Sequence, residues 1–123
     1  MADDADTEWA APFWAYGAEP AHRGAMVWVL NAGSAPAQVT VTWHRYNGPV
    51  AHKSAETIKP GTTSIFVSGQ WDTVGWLRVS ADEPVLPWGT TPASQYDDDY
   101  VHMSFFRSPP PPRRKTVRPK PSP

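Results

Sequence analysis

Along residues 26–106 the chain falls into short apolar or alternating runs, spaced about ten residues apart by turn-forming residues, a rhythm that confines it to all-β folds. The clearest run is residues 37–46, AQVTVTWHRY. Val39, Val41 and Trp43 share one face of an extended segment there, and Thr40, Thr42 and His44 share the other. Residues 26–30, MVWVL, form a short continuous apolar run ending at Asn31-Ala32-Gly33, which fits a buried strand. Trp28 has apolar neighbours on both sides, so the period does not assign its face. Asn47-Gly48 supplies a tight hairpin turn, and Pro49, which lacks an N–H, belongs at a strand end or edge.

A weaker strand follows over residues 51–58. Lys59-Pro60-Gly61-Thr62 carries the type II turn signature, and residues 63–68 form the next strand. After a loop at 69–73, residues 74–80 form a strand with Leu77 and Val79 facing inward. Asp82-Glu83-Pro84 is read as a turn before a strand at 85–89. A polar loop at 90–99 leads to a last alternating strand over 100–106, and residues 9–16 add an edge strand. Seven or eight such strands predict an antiparallel β-sandwich of immunoglobulin-like or jelly-roll-like type.

The 123 residues allow one domain, divided here into a polar arm (1–8), a β-sandwich (9–106) and a tail (107–123). The absence of cysteine excludes a disulfide framework and a thiolate metal site. Fifteen prolines and eight glycines argue against an all-α chain. The N-terminal MADDADTEW has neither the basic nor the apolar region of a secretory signal. No apolar run reaches the length of a membrane span. The expectation is a cytoplasmic protein without membrane insertion, or a component of a virion or larger assembly.

Charge is divided sharply. Residues 1–106 hold five basic residues against all twelve acids, a charge of −7, and all seven tryptophans. Residues 107–123, RSPPPPRRKTVRPKPSP, hold seven prolines and a charge of +6. Pro109, Pro110, Pro111 and Pro112 are a preformed polyproline II segment suited to an aromatic groove. Arg113, Arg114, Lys115, Arg118 and Lys120 offer charge to a partner. The same tail also reads as a solvated, solubilising or disordered extension. It has no aromatic residue for base stacking and follows an acidic head, so nucleic acid is not the expected partner.

Trp43 is expected in the core, in register with Val39 and Val41. Trp71, Trp76 and Trp88 lie near loops or opposite Leu77 and are the candidate surface aromatics, for a peptide or a sugar ring. Asp97-Asp98-Asp99 with His102 lacks the spacing of a calcium loop, and successive aspartates on a strand point apart. His22, His44, His52 and His102 show no paired metal-ligand spacing, with His44 and His102 read as outward residues. No nucleophile elbow or phosphate-cradling loop is present. No catalytic residue, metal or cofactor is expected, and the chain is read as non-enzymatic.

The runs FWAYGAEP, MVWVLNAGSAPAQVTVTWHRYNG, IKPGTTSIFV and GWLRVSADEPVLPWGTT together resemble the sensory rhodopsin transducer family over roughly residues 13–90. The similar elements are Trp14 with Gly17 and Pro20, the Leu30-Asn31-Ala32-Gly33 turn, the Pro60 turn and the Ser80 to Val85 turn. The resemblance implies a small soluble bacterial β-sandwich that relays or binds rather than catalyses, and that is homo-oligomeric. The expected function is an adaptor whose tail docks on a neighbouring subunit or larger partner. Two alternatives stay open: a structural accessory or decoration subunit, and a carbohydrate-binding module using the surface tryptophans.

Overall fold

The alternation in residues 37–46 becomes β3 (Ala37–Arg45), one of eight strands among the described residues. The others are β1 (Asp6–Ala15), β2 (Met26–Asn31), β4 (Val50–Ile58), β5 (Thr63–Val67), β6 (Val74–Pro92), β7 (Tyr100–His102) and β8 (Phe106–Arg107). A computed structural model describes residues 5–15, 24–68, 74–92 and 99–107. All ladders among these residues are antiparallel, and the fold is an antiparallel β-sandwich.

The 19-residue β6 joins the two layers. Its first part pairs with β3 on one side and β1 on the other, giving the order β4-β3-β6-β1-β8. From Val85 onward it pairs with β2, which carries β5, and from Thr90 with β7. Gly75, Leu77 and Val79 are buried before the bend, and Val85, Gly89 and Thr91 after it. The parity never changes, so β6 curls while keeping one face inward.

This corrects the expected Asp82-Glu83-Pro84 turn. Those three residues fall between the two sets of ladder pairs, after Ala81 and before Val85. Pro84 therefore costs no ladder hydrogen bond, and local turn chemistry yields to strand pairing on both flanks. A second correction concerns the end of the domain. The expected strand over 100–106 is two short strands, with β7 on one layer and β8 on the other. The chain crosses between layers at residues 103–105, where Met103 N–H donates to Gly89 O.

β1 starts at Asp6 and is not the last strand of its layer, because β8 pairs with its outer side at Trp9 and Ala10. Its register slips between Ala11 and Trp14, where Pro12, having no N–H to donate, sits in the irregularity. The predicted turns at Asn47-Gly48 and Pro60-Gly61 are present. Gly61 adopts φ +73°, and Thr62 N–H donates to Lys59 O across the Pro60-Gly61 turn. Gly48 adopts φ +117° in the β3–β4 hairpin.

The two inner faces form one core. Val39, Val41 and Trp43 meet Leu77, Val79 and Trp14 from one layer, and Val27, Val29 and Phe66 from the other. Trp14 and Trp43 pack edge to face, with centroids 5.3 Å apart. Trp43 is fully buried, as its period predicts. The Trp14 indole N–H is shared between His44 O and Trp76 O, each at 3.0 Å. Trp9 likewise donates to Asp6 O and Val85 O.

Candidate docking surface

Directly paired residues in an antiparallel sheet share a face, so the register determines what each layer shows to solvent. The outer face of the β4-β3-β6-β1 layer is polar. Thr40 lies beside Ser80, and Thr42 beside Arg78. Glu8 receives a hydrogen bond from Ser80 Oγ and pairs with Arg78 at 3.8 Å. Trp76 lies on this face but is covered. The His44 ring stacks on it at 4.0 Å and 3°, while His44 Nδ1–H donates to Gly48 O.

The outer face of the other layer is apolar. Its middle row runs Ile65–Trp28–Trp88 across β5, β2 and β6. On one side lies Val67–Met26–Thr90–His102, and on the other Thr63–Leu30–Leu86. These rows contain no acidic residue, lysine or arginine. Trp28 and Trp88 stack with centroids 6.4 Å apart and planes within 11°. Trp88 is 47% exposed, Ile65 46% and Val67 52%. A contiguous apolar sheet face of this kind is a candidate interaction surface.

The geometry sorts the expected aromatics. Trp88 stands at the centre of the apolar face. Trp76 projects from the same strand on the other layer, so the two do not form one row. Trp71 lies outside the described residues. So do Pro109, Pro110, Pro111, Pro112, Arg113, Arg114, Lys115, Arg118 and Lys120, and Asp97 and Asp98 of the acidic run. Arg107, counted as the first tail residue, belongs to β8 opposite Trp9, with its guanidinium 5.8 Å from the Trp9 ring centroid and 3.9 Å from Asp6 Oδ2.

The residue that sequence reasoning missed is Trp28. Its signal was present in MVWVL, which is apolar at both parities: Val27 and Val29 fill the core while Met26, Trp28 and Leu30 pave the outside. A run apolar on both faces is the pattern of a strand covered on both faces.

Asn31 gives the Leu30-Asn31-Ala32-Gly33 turn its structural reason. It is fully buried, and its Nδ2 donates to Ala35 O and Ile58 O, each at 2.8 Å. Its Oδ1 accepts from Gly33 N–H, its N–H donates to Thr62 O, and its carbonyl accepts from Gly61 N–H. One side chain thus ties the β2–β3 turn to the β4–β5 turn, and this part of the motif specifies architecture.

No family model and no curated protein matches the sequence. Among solved structures, the Anabaena sensory rhodopsin transducer superposes with a TM-score of 0.56 at 18% identity, covering 70% of this chain and 96% of that one. Thermotoga maritima 1070 superposes with a TM-score of 0.59 at 10% identity, covering 83% of this chain and 93% of that one. The resemblance to sensory rhodopsin transducers therefore holds at the level of the fold.

Proposed function

We propose that this chain is a non-enzymatic binding module whose docking surface is the apolar face centred on Trp28 and Trp88, and whose ligand is a proline-rich extended segment. The observation that carries this reading is the stacked pair of half-buried Trp28 and exposed Trp88 within three uncharged rows. Flat aromatic surface accepts proline rings, and a polyproline II chain loses little entropy on binding. The segment at hand is the chain's own Pro109 to Pro112, donated by a neighbouring copy. The charges favour this pairing, since the +6 tail follows a −7 domain. As an adaptor, the module would hand this contact over to a larger partner carrying a similar segment. The fold shared with the Anabaena transducer is compatible with such a relay role.

The test compares the full chain with a chain ending at residue 107, so that β8 is kept. Truncation should red-shift tryptophan emission as the face loses its cover. A peptide of residues 108–123 should restore the blue-shifted emission and fail to do so in Trp88→Ala. Unchanged emission on truncation would remove the reading.

A further inference from the structure

The β5 strand has a second, independent property: among the described residues, its outer edge is unguarded. Ser68 N–H donates to Ala25 O, and Asn31 N–H donates to Thr62 O, each at 3.0 Å. Main-chain groups of the even-numbered residues therefore point to β2, and by alternation those of Thr63, Ile65 and Val67 point away from it. β5 pairs with β2 alone among the described strands. Proteins normally blunt such an edge with charge, proline, a bulge or brevity. The other described edges carry these devices. β4 follows Pro49 and bears Lys53 and Glu56, β7 has three residues, and β8 has two including Arg107. β5 reads TSIFV, with five successive pairs to β2 and no register slip.

We propose that β5 is a dimerisation strand, pairing antiparallel with β5 of a second copy about a two-fold axis at Ile65. The strand is its own best complement. This register sets Ile65 against the partner's Ile65 and Thr63 against the partner's Val67, with no charge opposed to like charge. All three are residues whose main-chain groups point outward, so up to roughly six main-chain hydrogen bonds close across the axis. A second copy fits better than an unrelated strand because the axis also joins two apolar faces on one side of a continuous sheet. The row Ile65–Trp28–Trp88 then runs unbroken into its counterpart. Two docking surfaces become one bivalent surface. The inference goes beyond the docking reading and holds whether or not the tail binds there.

Amide exchange on the full chain tests it directly. On raising the concentration from micromolar to millimolar, the N–H groups of Thr63, Ile65 and Val67 should slow by about tenfold or more. Those of Ser64 and Phe66, bonded to β2, should be protected throughout. Light scattering should show the mass rising to twice 13.6 kDa over the same range. Ile65→Pro removes only an outward N–H, which an edge strand tolerates. It should leave the circular dichroism native and weaken the dimer by about tenfold or more. Ile65→Lys, which opposes like charges on the axis, should do the same, and Glu56→Lys on β4 should not. Fast exchange at Ile65 and Val67 at every concentration would overturn the proposal. So would a dimer unmoved by both Ile65 variants, or one abolished only by removing residues 108–123.

Discussion

Two buried tryptophans, alike in exposure and in mutual contact, should respond unequally to the same substitution. Trp14 and Trp43 are both fully buried and pack edge to face. Trp14 Nε1–H is satisfied twice, by His44 O and Trp76 O. Trp43 Nε1 is buried with no hydrogen-bond partner among the described residues. Replacing either by phenylalanine deletes a similar volume of packed ring, a loss of roughly 2 kcal/mol. Trp14→Phe also strands parts of two buried carbonyls, adding roughly 1–2 kcal/mol. Trp43→Phe instead removes an unpaired donor, returning roughly 1–2 kcal/mol. The expected totals are about 3–4 kcal/mol for Trp14→Phe and about 0–1 kcal/mol for Trp43→Phe. Urea unfolding followed by far-UV circular dichroism measures both, with the slope checked for constancy so that midpoints report stability. If Trp43→Phe costs as much as Trp14→Phe, the bonding argument fails and packing alone governs the site. Trp43→Ala, which opens a cavity, should cost about 3–5 kcal/mol and shows that the position itself is core.

Other substitutions probe other links. A Cβ at Gly75 would stand 1.7 Å from His44 O and 2.9 Å from Trp14 Nε1, so Gly75→Ala should destabilise by about 2–4 kcal/mol in the same assay. Asn31→Leu strands the carbonyls of Ala35 and Ile58 and should lower stability by about 3 kcal/mol, with the largest loss of amide protection at Gly33 and Thr62. Trp88→Ala removes a half-exposed ring, so thermal unfolding should shift by no more than the equivalent of about 1 kcal/mol while binding of the 108–123 peptide is lost. Glu8→Gln breaks a pair to Arg78 at a partly exposed site and should cost about 0–1 kcal/mol, less at high salt.

Much of the fold was legible because it is local. The alternation of β3 and the Pro60-Gly61 turn each follow from neighbouring residues, and the structure contains both. The bend at residues 82–84 was not legible. Asp-Glu-Pro is sound turn chemistry, and what keeps the strand going is the supply of partners on either side, Thr40 and Val39 before it and Asn31 after it. The crossing at residues 103–105 was hidden for the same reason. At the candidate site, Trp88 was within reach because loops and turn signals surround it. Trp28 was not, since a run apolar at both parities looks alike whether its outer face meets another layer or solvent. Only the order of strands separates the two.

The position of β6 in the chain has a consequence for synthesis. It borders four other strands, β1, β2, β3 and β7, yet it begins at Val74, after five of the eight strands have left the ribosome. Until then the β3–β4 hairpin and the β2–β5 pair have no sheet to join, and β1 has no partner at all among its native neighbours. Trp9 waits for Val79, and Trp14 for Gly75. Such distant pairings make folding slow, with apolar strands exposed in the interval. The nascent chain therefore gains little protection by stages. It becomes a folded protein late and nearly all at once, when β6 arrives to fill the place left open for it.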